Sequence, residues 1–345
     1  MIRLRLKPLP GVVAVNPPKC DDFAYIHFLI AAQKVFTCTE AARCQPGGTH
    51  PPSHDAFTRL LTRQPPDPEG LWSEAQTLVT REKGMLVVDD TTLDKPYAQQ
   101  MELVTRHWSG KHHRVVQGIN LVTLLWTDGN ALIPTDFRFY DKPHDGWTKN
   151  HHFQAMLQIA KERGFQPECV AFDSWYASLA NLKTLCEYQW HWLTRLKRNR
   201  LVNPDRTGNV SLESLDIPAE GRVVHLRGYG MIRVFRIVAT DGDTEYWATD
   251  ILDMDEPTRK EGARQAWGIE VYHRGIKQHC GIERAQVRSA QAQKVHVLCS
   301  LRAFLRFEAL RLRKAISWYE AKTAIVREAI RAYLAHPTIC LNPTA

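Results

Sequence analysis

Two short apolar runs that stop on aspartate constrain this chain more than any other feature. Met85-Leu86-Val87-Val88 runs into Asp89-Asp90, and Cys169-Val170-Ala171-Phe172 runs into Asp173. Short apolar runs bounded by polar residues read as buried strands. A carboxylate at the end of such a strand sits where an open α/β sheet gathers its functional groups, at the carboxyl edge. The segments between and around them fit the same fold. Arg114–Thr127 is a long strand rich in Val, Ile and Leu, Asp128-Gly129-Asn130 is a tight-turn signal, and Ala131–Tyr140 returns as the next strand. Asn150–Arg163 is an amphipathic helix closed by Gly164, Tyr176–Tyr188 is a second helix, and Trp190–Leu196 is a further strand. This order of strands and helices specifies an α/β fold built on a mixed five-stranded sheet.

The flanks differ in pattern. Residues 1–80 are mostly helical: Ala24–Lys34 is apolar and aromatic, Thr39–Arg43 is short, and Ser53 is placed to cap His54–Arg63. Two short helices, the second carrying His54, Thr58, Arg59 and Arg63 outward, make 1–80 a candidate DNA-binding unit. Pro65–Gly70 ends it. Residues 81–198 hold the first part of the core. Residues 199–250 alternate apolar and polar and are split by Gly228, Gly230 and Asp241-Gly242-Asp243, as expected of a small β insertion. Residues 251–290 supply one more core helix, and 291–345 form a helical region rich in arginine.

With 345 residues and 44% hydrophobic content, the chain can bury substantial cores, and its formal charge of +8 suggests a polyanionic partner. No run approaches about 18 apolar residues and no signal-peptide core opens the sequence, so a cytoplasmic protein with no membrane partner is expected. Eight cysteines are scattered without a CxxC pair. Cys38, Cys44, His50 and His54 have zinc-ligand chemistry at spacings wrong for a finger, and are read as helix and loop residues.

A third acidic residue stands far downstream, in Trp267-Gly268-Ile269-Glu270-Val271-Tyr272-His273-Arg274-Gly275-Ile276-Lys277. At 3.6 residues per turn, Glu270, Arg274 and Lys277 form one stripe, and Ile269, Tyr272 and Ile276 another. A carboxylate flanked by two cations on one helix face suits a metal ion and a phosphate backbone together. Two-metal phosphoryl transfer needs several carboxylates converging around ions about 3.5–4 Å apart. Asp90, Asp173 and Glu270 are the candidates to do so.

These segments resemble the bacterial insertion-sequence transposases of the DDE type, whose catalytic core is RNase H-like. The resemblance rests on Val87-Val88-Asp89-Asp90-Thr91-Thr92, on Val170–Tyr176, and on Trp267-Gly268-Ile269-Glu270 with Lys277. It covers roughly residues 20–335. The intervals fit, with 82 residues between Asp90 and Asp173 and 96 between Asp173 and Glu270. The second interval holds the β insertion, as in the hairpin-forming members. Both Asp89 and Asp90 match an Asp-x-Thr pattern, and neighbours on a strand face opposite sides. Asp90 is taken as the first metal ligand, with Asp89 as its alternative. The family's signature has a Tyr and an Arg at the positions of Ala263 and Ala266, leaving Arg264 and Arg274 as candidates to replace their phosphate contacts.

The resemblance implies a polynucleotidyl transferase: two Mg²⁺ or Mn²⁺ ions held by Asp90, Asp173 and Glu270, cleavage at transposon ends, and attack of the freed 3′-OH on target DNA. Double-stranded DNA and a second copy in a synaptic homodimer are the expected partners, at the bacterial nucleoid. The expected DNA contacts are Lys277, Arg274, Arg264, Arg198 and Lys197 of the 195–200 run, Lys111 of the 108–114 run, and Arg59. Trp247 is read as core. A nuclease or resolvase without strand transfer, or an inactive DNA-binding derivative, are the competing readings.

Overall fold

The computed structural model describes residues 18–48, 50–109, 113–238 and 242–337. It opens with four helices, α1 (Asp22–Ala31), α2 (Cys38–Arg43), α3 (His54–Arg63) and α4 (Pro68–Ala75). The core follows as β1 (Met85–Asp94), β2 (Thr105–Ser109), β3 (Arg114–Thr127), β4 (Ile133–Tyr140), α5 (Lys142–Asp145), α6 (Lys149–Glu162), β5 (Cys169–Phe172), α7 (Leu179–Glu187) and β6 (Trp192–Leu196). A short ribbon, β7 (Leu201–Val202) with β8 (Val210–Ser211), leads to β9 (Arg222–Leu226), β10 (Gly230–Val238) and β11 (Thr244–Thr249). Four helices close the chain: α8 (Glu256–Ala266), α9 (Gly268–His279), α10 (Ala290–Lys314) and α11 (Trp318–Ala335).

The five-stranded mixed sheet of the expectation is present, in the order β4-β3-β1-β5-β6. The first three strands are antiparallel neighbours, while β1, β5 and β6 run parallel. This is an RNase H-like arrangement. Three differences from the sequence reading bear on the site. β1 does not stop near Asp90 but continues to Asp94, because the long β3 offers it partners from Thr127 down to Gly118. β2, whose Thr-Arg-His-Trp-Ser carries no strand-like hydrophobic pattern, pairs with the first rungs of β3. The β insertion is not a separate unit: β11 pairs antiparallel with β6 and carries β10 and β9 outward, extending the core sheet to nine strands.

Helices seal the sheet. α10 is surrounded: α1, α3, α4, α9, α11 and β4 all pack on it, and its middle is buried on every side. Its buried Arg302 pairs with Asp22 of α1 and with Glu74 of α4 at 2.7 Å. The N-terminal helices therefore share one hydrophobic core with the C-terminal ones. On α3, Ala56, Phe57, Leu60 and Leu61 face inward, and Ser53 precedes the helix without a side-chain capping bond. Among the described residues, no helix is long and apolar enough to cross a membrane.

Candidate metal and nucleic-acid site

The parallel register between β1 and β5 builds the site. Val88 pairs with Phe172 at the last rung, so the next residues, Asp89 and Asp173, stand at equivalent positions on neighbouring strands. β1 goes on pairing with β3 past this point, which keeps both of its aspartates in rigid strand geometry.

The two aspartates diverge as strand alternation requires. Asp89 turns toward α9. One of its carboxylate oxygens, one of Glu270 and a ring nitrogen of His273 all lie within 4.8 Å of one another. Asp90 turns toward α6, where it accepts hydrogen bonds from Asn120 Nδ2 (2.7 Å), Lys149 Nζ (2.7 Å) and Tyr176 Oη (2.9 Å). Tyr176 is itself stacked on Phe153 of α6. Of the neighbouring pair, the structure brings Asp89 rather than Asp90 beside Glu270. In sequence, Asp90 is favoured by its shared strand face with Leu86 and Val88 and by a motif that both aspartates satisfy.

Electrostatics separates the pair too. Burial, followed by the adjacent Asp90 charge, holds the Asp89 carboxyl well above the usual carboxylate range, and Glu270 and Asp173 add to the repulsion. Burial would also raise Asp90, but the Lys149 charge and the three hydrogen bonds outweigh it and hold Asp90 below its ordinary value. Among the described residues, Asp89 has no ion pair comparable to that of Asp90 with Lys149. Asp173 is half-exposed, with its Oδ1 accepting from the Ser174 amide and from Arg195 Nη2 at 3.3 Å.

Glu270 reaches this point because α9 is clamped. Ile269, Tyr272 and Ile276 are buried, as their stripe requires, while Glu270 and Arg274 are exposed. Lys277 Nζ donates to the Thr92 carbonyl of β1 (2.8 Å) and lies 3.2 Å from Glu283. Asp89, Asp90, Asp173, Glu270, His273, Arg274 and Lys277 all line one cleft of about 1000 Å³. His273 is missing from the sequence reading, although Glu270-x-x-His273 puts both side chains on one side of a helix. Burial, then the Lys277 charge, push the His273 ring down to about 3, leaving it neutral. Lys149 and Trp175 were missed as well: the exposed Trp175 ring lies 6.0 Å from Lys149 Nζ and 5.2 Å from Lys197 Nζ.

The other expected DNA contacts lie apart. Arg264 is engaged by Glu261 through two short hydrogen bonds and does not line the cleft, so of the two candidates to replace the family Arg only Arg274 does. Arg198 is exposed and 3.6 Å from Glu213, Lys197 lines a shallow pocket beside Trp175, and Arg59 is exposed on α3. Lys111 lies outside the described residues. Trp247 is partly buried, its indole donating to Glu245.

Carboxylates with an imidazole suit a divalent cation that accepts oxygen and nitrogen donors. Asp89 beside Glu270 is what such a cation would neutralise.

Comparison with known proteins agrees with this chemistry. A family model described as DDE superfamily endonuclease matches residues 32–213, and one described as archaeal putative transposase ISC1217 matches residues 145–311. No curated protein matches the chain. Among solved structures, the piggyBac transposase synaptic complex with hairpin DNA aligns at 10% identity and a TM-score of 0.49, covering 97% of this chain and 77% of that one. The Mos1 strand transfer complex aligns at 14% identity and a TM-score of 0.20, covering 53% of this chain and 60% of that one. With one family model spanning more than half of its length, the chain belongs to the DDE superfamily endonucleases and is a DDE-type transposase enzyme.

Proposed function

We propose that this enzyme cuts DNA at transposon ends and joins the freed 3′-OH to target DNA, using two Mg²⁺ or Mn²⁺ ions held by Asp89, Asp173 and Glu270. The observation that carries this reading is the meeting of Asp89, Asp173 and Glu270, from three distant segments, in one cleft. When bound, the ions supply an activated water and stabilise the departing 3′ oxygen. Asp89 on β1 and Asp173 just past the end of β5 hold neighbouring positions, and Glu270 of α9 completes the set. Lys277, tied to Thr92 and Glu283, fixes the distance between α9 and β1. Arg274, a cleft-lining cation of α9, meets a phosphate near the cut. Lys197 with Trp175 extends the path of the strand, and α3 with Arg59 is the candidate end-recognition element. A homodimer would hold two ends together at the nucleoid.

The test is cleavage of duplex carrying the element's terminal repeats, with Mg²⁺. Asp89→Asn, Asp173→Ala and Glu270→Gln are each expected to reduce cutting to background, and Asp90→Asn to retain more activity than Asp89→Asn. Undiminished cutting by Asp173→Ala ends this reading. Cutting by the wild type without joining of the 3′-OH to target favours a nuclease or resolvase.

A further inference from the structure

His273 is buried, 4% exposed, and its Nε2 has no hydrogen-bond partner among the described residues. A buried imidazole with an unmet nitrogen is costly unless something else uses the ring. The side chain lines the catalytic cleft, and one ring nitrogen lies within 4.8 Å of the ligand oxygens of both Asp89 and Glu270. Donors sharing one octahedral ion stand about 3 Å apart as neighbours and about 4.2 Å apart across it, given bonds of about 2.1 Å. Small side-chain adjustments would bring these three atoms onto one ion. The spacing is suitable as well. Glu and His three residues apart on a helix project to the same side, a Glu-x-x-His arrangement that places both on metal ions in helical bundles. The surroundings hold the ring in place: Tyr272 packs against it with centroids 5.4 Å apart, and the neighbouring turn is pinned by Lys277.

We propose that His273 is a protein ligand to one of the two ions, giving that ion a mixed nitrogen and oxygen donor set with Asp89 and Glu270. This rests on the two-metal reading above and adds a specific consequence to it. Imidazole is a softer donor than carboxylate oxygen and suits first-row transition ions better than the hard Mg²⁺, so the position beside His273 accepts Mn²⁺, although the weakest of that series, ahead of Mg²⁺. The other position, lined by Asp173, is left to oxygen donors.

The test uses Mn²⁺ as the probe on the full chain without DNA, read by electron spin-echo envelope modulation. The wild-type protein is expected to show ¹⁴N modulation of bound Mn²⁺. That modulation should change to the ¹⁵N pattern when histidine is ¹⁵N-labelled, and disappear in His273→Gln with Mn²⁺ affinity lower by about 10-fold or more. The labelled wild type keeps the test decisive even if the variant folds poorly. Bound Mn²⁺ without nitrogen modulation overturns the His273 assignment while leaving a carboxylate metal site intact. Wild-type protein that binds no Mn²⁺, with Asp89→Asn and Glu270→Gln indistinguishable from it, overturns the two-metal reading and this proposal with it.

Discussion

At the scale of single residues, the neighbouring pair Asp89 and Asp90 illustrates how one backbone step divides two roles. Asp89 faces other carboxylates, and Asp90 faces a lysine, an amide and a phenol. Sequence could say that the two point to opposite sides, but not which side the third acidic residue would approach. That depends on whether α9 or α6 packs on a given face, and nothing local to β1 encodes it. The Asp90–Lys149 pair is mostly buried, with side chains 17% and 19% exposed. Removing one partner of such a pair leaves a charge without compensation. Lys149→Met is therefore expected to destabilise the fold by about 3 kcal/mol. Adding Asp90→Asn should restore most of the loss, because the uncompensated charge goes too. Urea denaturation of the two single variants and the double variant measures this; an additive double variant would refute it.

At the scale of elements, α9 shows how tightly the site is held. A Cβ built on Gly275 would stand 2.7 Å from Trp318 and 3.0 Å from Phe304, two rings packed together beneath the helix. Gly275 is thus required by close packing rather than by backbone shape. Gly275→Ala is expected to push α9 outward, costing about 1–3 kcal/mol and lowering cleavage more than DNA binding. A variant with wild-type stability and activity in paired denaturation and cleavage assays would refute this. The apolar stripe of α9, the strand Arg114–Thr127 and the strand Cys169–Phe172 are legible in sequence because their burial is continuous or periodic. β2 is not, since a polar edge strand carries no hydrophobic pattern. The union of β11 with β6 is not legible either, because pairing between distant strands leaves no mark on either one.

At the scale of the whole molecule, α1 meets α10 across the sequence. Tyr25 Oη on α1 lies 2.9 Å from His296 Nδ1 on α10, while His296 Nε2 lies 3.1 Å from the Gly281 carbonyl. Burial, followed by the Lys95 charge, push the His296 ring down to about 3. A folded value below the unfolded one of about 6.5 means the folded protein prefers the neutral ring. Its contribution is fully present above pH 6.5 and is lost as the pH falls from there toward 3, by about 1.4 kcal/mol per unit. His296→Gln is expected to flatten the acid limb of stability by one proton between pH 6 and pH 4. Denaturant titrations across that range check it, and an unchanged slope would refute it. The docking of α9 on α10 and α11 has a further consequence, in the order of synthesis. A ribosome delivers Asp89 and Asp173 early, but Glu270 has no seat until the two helices beneath α9 have emerged and folded. On the proposed assignment, partly made chains carry Asp89 and Asp173 without a seated Glu270, and are expected not to cut. On that assignment α10 and α11 act as a safety catch, since α9 packs on both of them.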